Sequence, residues 1–487
     1  MTEAAGTIER LADQGHLIGE GWSAGDSAGR YEHHDPNTGQ LQAAVPLAGA
    51  KEVDAAVTAA AAASAGWRAM PLEERAAILH RLADLLVEHD DTSAALNARD
   101  NGTPISTMRP GLYAAGWVRY YAGWVDKLTG TVVPISGGGL DYVLPEPYGV
   151  IGAIVPWNGP MMGMGQKVAP ALAAGNTVVA KPPEIAPFGA LRFAELALDA
   201  GLPPGVLNVV TGGADAGQAL VRDPRVGKVS FTGGRLTARE VMIGAAETLK
   251  PLALELGGKS ANIVFADADL DVAASLAVLF GVGLLSGQGC ALPTRLYVQD
   301  DVYDEVVQRL IAQAESLAVG DPSDPATFMG PVVHERACER ILGTIERAKS
   351  EGSGRLLTGG ERLGGDLASG YYVSPTIFGD VEHGSDLATN EIFGPVLSVL
   401  RFSTEEEVVA KANDSDFGLG AYLHTRDASR VHRVAAALQA GMVIANGLPG
   451  MSPGAPFGGY KQSGFGREGG KWGIEEFVQP KNVFIAG

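Results

Sequence analysis

The chain has 487 residues, of which 46% are apolar and 19% are charged. This composition is typical of a folded protein, and the length exceeds what one hydrophobic core organises, so two or three domains are expected. The net charge of −19 argues against nucleic acid or an anionic membrane as a partner, because phosphate binding needs a basic surface. The chain starts without the basic and apolar segments of a secretory signal, and two cysteines suit a reducing compartment, so we expect a cytoplasmic protein.

Alanine-rich amphipathic patterns predict two early helices, over 51–66 and 71–90. From residue 148 onward, short apolar runs alternate with helical stretches. This alternation is typical of right-handed βαβ units and a parallel sheet. The predicted strands are 150–155, 176–180, 206–210 and 228–231, and the predicted helices between them are 165–174, 186–200 and 217–222.

A second alternating region begins near Ser260 and predicts a second α/β domain that shares a cleft with the first. Its predicted strands are 261–265 and 294–298, each followed by a helix. Before both domains, the segments 130–134 and 140–144 flank three glycines and predict a projecting β-hairpin. Such an arm cannot bury itself alone, so a homodimer or homotetramer is expected.

The uncharged run from Val272 to Leu292 has two interpretations. Its length suits a membrane-spanning helix, but it contains four glycines, two serines and Gln288. A buried helix that delivers Cys290 to a cleft explains this composition better, so no membrane partner is expected.

Cys290 and Glu255 form a candidate catalytic pair. Cys290 stands in a glycine-rich run, and Glu255 lies between two leucines. A thiol nucleophile and a desolvated carboxylate are the minimum set for covalent catalysis with a general base. Taken singly, a cysteine is more often core filling and a glutamate is more often solvated. Their combination with Asn158 favours the catalytic interpretation.

Three other motifs fail for physical reasons. The Gly258-Lys259-Ser260 run resembles a phosphate-binding loop, but Ala253 stands where that loop needs a glycine. Ser452 fits a serine hydrolase pattern, but Pro453 has no N–H to donate to an oxyanion. The nine histidines lack the spacing of paired ligands, so no catalytic metal is expected.

Seven motifs together resemble the NAD(P)-dependent aldehyde dehydrogenase superfamily, in its hydrolytic, CoA-independent branch. They are Pro156-Trp157-Asn158, Lys181-Pro182-Pro183-Glu184, Phe231-Thr232-Gly233, Leu254-Glu255-Leu256-Gly257-Gly258-Lys259, Gly287-Gln288-Gly289-Cys290, Glu391-Ile392-Phe393-Gly394-Pro395 and Pro456-Phe457-Gly458-Gly459-Tyr460-Lys461. The resemblance implies an α/β fold with three parts. These are a Rossmann-like NAD-binding domain (1–128 and 147–256), an α/β catalytic domain (257–462), and a small projecting β oligomerisation arm with the C-terminal segment (129–146 and 463–487).

The resemblance also implies the chemistry. Cys290 would attack an aldehyde to give a thiohemiacetal, whose oxyanion is held by the Asn158 amide and the Cys290 N–H. After hydride transfer to NAD, Glu255 would activate water to hydrolyse the thioester, with Lys167 supporting the base. Two alternatives stay open: a CoA-acylating semialdehyde dehydrogenase, which Glu255 disfavours, and a non-catalytic protein that retains the fold.

For the cofactor, the resemblance places Lys181 and Glu184 at the adenosine ribose. A carboxylate there repels a 2′-phosphate, so NAD is expected over NADP, which Lys181 keeps possible. Two departures from the family pattern are Gly234 and Ala238 near the pyrophosphate. A third is Gln479, placed where some members carry a glutamate of the proton path. The remaining expected cofactor contacts are Ile154, Trp157, Gly233, Gly234, Leu256, Glu391 and Phe393.

The substrate pocket is the most individual part of the sequence. Methionines 161, 162 and 164 follow Asn158, and apolar residues flank Cys290. Methionine suits irregular, adaptable pockets, so we expect a bulky apolar aldehyde (aromatic, terpenoid, steroidal or fatty). The competing interpretation is that these positions pack the core. The expected pocket residues are Gly159, Met162, Leu284, Gly289, Ala291, Leu448, Met451 and Phe457.

Overall fold

The structure, a computed structural model, describes residues 2–447 and 451–487. The helices are, in chain order, α1 (Thr2–Gln14), α2 (Ala50–Ala69), α3 (Leu72–Glu88), α4 (Asp90–Asn101), α5 (Pro110–Ala122), α6 (Pro160–Ala173), α7 (Phe188–Asp199), α8 (Ala214–Arg222), α9 (Arg235–Ala246), α10 (Leu270–Val278), α11 (Tyr303–Glu315), α12 (Glu335–Glu351), α13 (Asp386–Thr389), α14 (Glu405–Asn413), α15 (Ala428–Ala437) and α16 (Gly470–Glu475).

The strands are short, as expected for sheets covered by helices. They are β1 (His16–Ile18), β2 (Gly21–Ser23), β3 (Arg30–His34), β4 (Leu41–Pro46), β5 (Thr131–Val133), β6 (Leu140–Pro147), β7 (Val150–Ile154), β8 (Thr177–Lys181), β9 (Leu207–Val209), β10 (Val226–Thr232), β11 (Leu252–Glu255), β12 (Ala261–Val264), β13 (Arg295–Gln299), β14 (Arg355–Thr358), β15 (Thr376–Gly379), β16 (Val396–Phe402), β17 (Phe417–Gly418), β18 (Gly420–His424), β19 (Met442–Ala445), β20 (Tyr460–Lys461), β21 (Gly464–Phe465) and β22 (Val478–Ile485).

The first large sheet has the strand order β2-β1-β9-β8-β7-β10-β11-β21. Its five central strands are parallel, and β1 and β21 add antiparallel edges. The four predicted parallel strands are therefore confirmed. Functional residues lie at the carboxyl ends of these strands: Asn158 after β7, Lys181 on β8, Gly233 after β10 and Glu255 on β11. In open parallel sheets that edge is where ligands bind.

The second large sheet has the order β14-β15-β16-β13-β12-β18-β19 and is parallel except for β14. This confirms the predicted α/β class with two sheets. Between the two sheets in the chain, β11 is followed directly by the Gly257–Ser260 segment and then by β12. That short connection brings Glu255, in the first sheet, close to residues that belong to the second.

The predicted hairpin is present as β5 and β6, which pair antiparallel, with Thr131 opposite Val143. The C-terminal strand β22 pairs along the other side of β6 over eight residues. The segment 463–487 is divided, however. Strand β22 joins this arm, β21 joins the first sheet, and α16 packs on α6.

The prediction of one buried helix over 272–292 is wrong. Helix α10 ends at Val278, and a π-helical turn (Leu279–Gly283) and a 3₁₀ turn (Leu284–Gly287) follow. Residues 270–287 are apolar and long enough to span a membrane, but half of this window is buried inside the protein. Ala273, Val278 and Val282 belong to the core shared with α11 and β13. Glycines and positive φ angles end the helix, so Cys290 lies in a turn.

Candidate active site

The turn that carries Cys290 has a strained backbone. Leu285 and Ser286 both have φ 52°, which is the left-handed region, and Gly287 has φ 70°. A Cβ on Gly287 would lie 2.1 Å from the carbonyl oxygen of Gly394, so this position accepts only glycine. The close approach ties the turn to the loop before β16, and non-glycine residues with positive φ often mark functional sites.

Two buried polar side chains hold this turn in place. The Ser286 hydroxyl donates to the carbonyl oxygen of Gly330 at 2.7 Å. The Gln288 side chain accepts from the Val333 N–H at 3.1 Å and donates to the Leu285 carbonyl at 3.0 Å. Neither Ser286 nor Gln288 was predicted to hold the Cys290 turn in place. The signal was present, because they are polar residues inside an otherwise apolar run.

Asn158 lies between β7 and α6 and faces the Cys290 turn. Its Nδ2 donates to the backbone carbonyl of Gln288 at 2.8 Å. A side-chain amide has two N–H donors, so this bond fixes the group while the second N–H remains for a ligand. Asn158 and Cys290 line the same cleft, as the catalytic hypothesis requires.

The Cys290 thiol is partly exposed and lines the cleft. Burial, followed by the negative charges of Glu391 and Glu255, raises its pKa to about 12. The surroundings therefore favour the neutral thiol. A positive charge brought into the cleft would stabilise the thiolate, which is the nucleophilic form.

Glu255 is buried, and neither carboxylate oxygen has a hydrogen-bond partner among the described residues. Gly458 makes room for it, because a Cβ there would lie 2.8 Å from Glu255 Oε1. Burial raises the pKa of Glu255 well above its usual value, and the charge of Glu468 raises it further. A buried carboxyl with a raised pKa is a candidate general base.

Lys167 and Glu468 form a buried ion pair behind this base. Lys167 Nζ lies 2.6 Å from Glu468 Oε1 and donates to Ser230 Oγ at 3.0 Å. The expectation that Gln479 stands in a glutamate position of the proton path is wrong, because Gln479 is exposed on β22 opposite Glu146. The carboxylate that lies beside Lys167 is that of Glu468, which is distant from Lys167 in the sequence and was not predicted.

A cleft of about 890 Å³ runs along the carboxyl edge of the first sheet as far as Cys290. All nine predicted cofactor residues line it, together with Asn158, Glu255 and Cys290. The nine are Ile154, Trp157, Lys181, Glu184, Gly233, Gly234, Leu256, Glu391 and Phe393.

Lys181 and Glu184 lie together on one wall of the cleft. Lys181 Nζ donates to the Gly212 carbonyl at 2.8 Å, and burial lowers its pKa to about 8. The Glu184 carboxylate lies 3.6 Å from the Cβ position of Gly213. A cation and a carboxylate on the same wall offer a donor and an acceptor for the two hydroxyls of a ribose.

Gly233 and Gly234 precede the first turn of α9, whose Leu236 and Thr237 also line the cleft. Free N–H groups at a helix N-terminus attract phosphate. A Cβ on Gly234 would meet nothing within 4 Å, so this departure from the family pattern keeps the space open. Ala238 is buried in the core beneath α9 and takes no part in the cleft.

Glu391 and Phe393 close the cleft near Cys290. Glu391 accepts from the Gly258 N–H at 2.9 Å, and burial raises its pKa to about 7. A Cβ on Gly257 would lie 2.0 Å from Glu391 Oε2, so a larger residue there would displace the Glu391 carboxylate. Phe393 packs edge-on against Trp157, with ring centroids 5.4 Å apart.

The predicted substrate residues do not gather in one cleft as the predicted cofactor residues do. Of the seven that the structure describes, none lines the cofactor cleft. Phe457 is buried and pairs its backbone with Glu468, while Met451 packs against the core of α5 and its neighbours. Met161 and Met164 are core residues, so the expected methionine-lined funnel is wrong for these two. Met162, Leu284, Gly289 and Ala291 are partly exposed, as is Gly159. Leu448 lies outside the described residues.

Comparison with known proteins decides the family. The profile of the aldehyde dehydrogenase family matches residues 22–483. The chain belongs to the aldehyde dehydrogenase family. A putative aldehyde dehydrogenase from Burkholderia cenocepacia is 40% identical over 97% of both chains, with a TM-score of 0.95. PnpE of Pseudomonas sp. WBC-3, solved with nicotinamide adenine dinucleotide, is 39% identical over 97% of both chains, with a TM-score of 0.95. An E. coli NADP dependent enzyme is 39% identical over 98% of this chain and 99% of its own, with a TM-score of 0.94.

In this aldehyde dehydrogenase, replacing Glu468 should change the pH profile. Glu468→Gln removes a negative charge near Glu255 and leaves Lys167 without its partner. Both effects lower the pKa of Glu255, so the base stays ionised at lower pH. The acidic limb of the kcat–pH profile should therefore move down by about one pH unit.

The measurement is steady-state aldehyde oxidation across the acidic and neutral range. Glu475→Gln is the matched control, because Glu475 pairs with Lys471 on the surface of α16. An unchanged acidic limb in Glu468→Gln would contradict the electrostatic link between Glu468 and the base.

Proposed function

We propose that this aldehyde dehydrogenase oxidises an aldehyde to the carboxylic acid with NAD, through a covalent intermediate on Cys290. The observation that carries the proposal is the shared cleft. It holds a thiol, an amide fixed beside it and an unpartnered buried carboxylate, and it continues along the edge where nucleotides bind. Each group has one role in a two-stage reaction, acylation followed by hydrolysis.

The residues of the cleft fit a dinucleotide. Gly257 and Gly233 leave room where a Cβ would collide with Glu391 or Phe231, and the α9 N-terminus offers free N–H donors to a pyrophosphate. Lys181 and Glu184 would hold the adenosine ribose, and Glu391 the ribose at the other end. When bound, the nicotinamide ring supplies a positive charge near the thiol and accepts the hydride of the substrate.

In the first stage, the Cys290 thiolate bonds to the aldehyde carbon and the carbonyl oxygen gains the negative charge. The free N–H of Asn158 and the backbone N–H of Cys290 donate to that oxygen. The Gln288 carbonyl fixes the Asn158 amide before substrate arrives, so little reorganisation is needed. Loss of hydride from the same carbon then leaves a thioester on Cys290.

In the second stage, Glu255 takes a proton from water, whose oxygen attacks the thioester carbon. The carbon–sulfur bond breaks, the carboxylic acid is released, and Cys290 is left as the thiolate while Glu255 holds the proton from water. A carboxylate with a raised pKa accepts this proton more readily than a solvated one. The Lys167–Glu468 pair lies behind Glu255 and provides a route by which the proton leaves.

Glu255→Gln should separate the two stages. Acylation does not need the base in this scheme, so a first burst of about one NADH per active site should remain. Steady-state turnover should fall by about 10²–10⁴-fold, which is the usual contribution of a general base. Stopped-flow absorbance of reduced nicotinamide measures both phases. Cys290→Ala is the control and should show neither. Normal turnover in Glu255→Gln would exclude Glu255 as the base.

We further propose a preference for NAD over NADP. The Glu184 carboxylate lies on the ribose wall of the cleft and would repel a 2′-phosphate. Lys181 moderates this repulsion, and among similar structures both an NAD complex and an NADP dependent enzyme occur. The preference therefore depends on the balance between these two neighbouring charges.

Glu184→Ser should raise the ratio of kcat/KM for NADP to that for NAD by about tenfold or more, because it removes the repulsive carboxylate and keeps Lys181. Initial rates with each cofactor at a fixed aldehyde concentration give the ratio. Glu240→Gln removes another carboxylate from the cleft wall and is the control. An equal change in both variants would mean that long-range charge, not contact with the ribose, sets the preference.

For the substrate, we propose a bulky apolar aldehyde. Met162 lies in the first turn of α6 and is partly exposed. Leu284, Gly289 and Ala291, which lie near Cys290 in the chain, are also partly exposed. These side chains are apolar and small or flexible, so they leave an adaptable entrance. None of them can bind a second carboxylate.

An aldehyde panel tests this substrate class. The kcat/KM for decanal or benzaldehyde should exceed that for succinic semialdehyde by about tenfold or more, because apolar contacts discriminate at this level. Met162→Arg should lower this ratio of kcat/KM values, because the added cation can bind the carboxylate of succinic semialdehyde. A higher kcat/KM for succinic semialdehyde in the unmodified enzyme would contradict the proposal.

We also propose a homodimer or homotetramer joined through the β5–β6–β22 arm. Val132, Phe484 and Ile485 on it are exposed by 68%, 58% and 51%. A thin sheet with such a surface gains stability by packing against a second copy. A monomer in analytical ultracentrifugation would contradict this.

A further inference from the structure

A small cavity lies in the second sheet, behind the segment that connects Glu255 to β12. Its volume is about 20 Å³, which is close to that of one water-sized sphere. Lys259 and Ser260 form one wall, Arg295 at the start of β13 forms another, and the loops before β17 and β18 complete it. The cavity is separate from the cofactor cleft, since the residues that line the two do not overlap.

Three hydrogen-bond donors on the cavity wall have no partner among the described residues. They are Lys259 Nζ, Arg295 Nε and Ser260 Oγ. Lys259 and Arg295 are each 2% exposed, and Ser260 is 3% exposed. Buried polar groups in folded proteins are almost always hydrogen-bonded, so three such atoms around one cavity indicate a missing acceptor.

The charge of this cluster is equally unbalanced. Among the described residues, neither Lys259 nor Arg295 forms an ion pair with a carboxylate. Arg295 donates to the backbone carbonyl of Ala412 at 2.9 Å, and its guanidinium carbon lies over the Tyr297 ring, 5.4 Å from the ring centroid. Burying a cation without a counter-charge costs several kcal/mol, and two close together repel each other as well.

The titration of Lys259 agrees with this geometry. Burial lowers the pKa of Lys259 to about 7, and the charge of Arg295 contributes in the same direction. Glu391 and Asp386 act in the opposite direction but make no contact with the ammonium group. The surroundings therefore lack a negative charge at contact distance.

We propose that this cavity binds a monatomic anion, a halide such as chloride, held by Lys259 Nζ, Arg295 Nε and Ser260 Oγ. All three atoms are unpartnered donors of residues that line the same cavity, and a bound anion would favour the charged form of Lys259. The cavity volume of about 20 Å³ favours a single atom over a polyatomic anion. The assignment does not depend on the proposed aldehyde substrate or cofactor.

The halide has a structural consequence for the catalytic segment. Lys259 follows Gly257 and Gly258, and the Gly258 N–H donates to Glu391. Gly258 also packs against the Cys290 backbone, since a Cβ there would lie 2.5 Å from the Cys290 carbonyl oxygen. An anion bound to Lys259 and Ser260 anchors this segment from behind.

The experiment uses bromide as the probe. Crystals of the full chain soaked in sodium bromide should show an anomalous difference peak within hydrogen-bonding distance of Lys259, Arg295 and Ser260. In solution, replacing sodium gluconate by sodium bromide at constant ionic strength should raise the melting temperature saturably, by roughly 2–4 °C. Because the ionic strength is constant, general screening of charges is the same in both salts.

Substitutions test whether the bromide-dependent rise in melting temperature depends on the cavity. Lys259→Met should abolish the bromide-dependent rise. Ser260→Ala, a milder change, should move its midpoint to about tenfold higher bromide, and it serves as the test if Lys259→Met does not fold. Lys250→Met is the matched control and should keep the full rise. Lys250 is also a buried lysine with a lowered pKa, but it donates to the Asp223 carbonyl, away from the cavity.

Two results would overturn the proposal. One is a bromide-soaked crystal without an anomalous peak in the cavity, which would mean that it holds water. The other is a bromide-dependent rise of equal size and midpoint in the unmodified protein, Ser260→Ala and Lys259→Met, which would place any bound halide elsewhere.

Discussion

The close approach of backbone segments at three glycines is the constraint on which the catalytic centre depends. Gly257 lies against the Glu391 carboxylate, Gly258 against the Cys290 carbonyl, and Gly287 against the Gly394 carbonyl, at distances that exclude any Cβ. These contacts join loops from both large sheets. At Gly258 and Gly287 backbone lies against backbone, and at Gly257 the Glu391 carboxylate lies against the chain, so Cys290 and Glu391 are held beside the strand that ends in Glu255.

Two neighbouring sites around these glycines differ in the sign of the charge that they favour. In the cleft, burial and neighbouring carboxylates raise the pKa of Cys290 to about 12, and burial raises the pKa of Glu391 to about 7. That site disfavours negative charge and accepts a cation, which suits a positively charged nicotinamide ring. Behind it, Lys259 and Arg295 form a buried site that favours an anion. Only Gly258 separates Lys259 from Gly257, so the same short segment forms part of both sites.

Sequence patterns predicted β7, β8, β9, β10, β12 and β13 to within one or two residues, because buried β runs bounded by Gly and Pro are distinctive, but they did not predict β11, β15, β16, β18 and β19. Helix boundaries were less accurate. Helix α6 begins at Pro160, five positions before the predicted start, since Pro supports a first helical turn. The 272–292 run failed as a helix because hydrophobicity indicates burial but not backbone conformation, and positive φ at Leu285 and Ser286 arises from tertiary contacts.

The sequence by itself determined the α/β class, the family and the residues that line the cofactor cleft, because each of these follows from local motifs at strand ends. Only the tertiary structure decided which distant groups meet. Glu468 pairs with Lys167 across about 300 residues of chain, and Lys259, Ser260 and Arg295 converge on one cavity. Met161 and Met164 point into the core while Met162 does not. Such juxtapositions depend on packing between elements far apart in the chain, which local patterns do not encode.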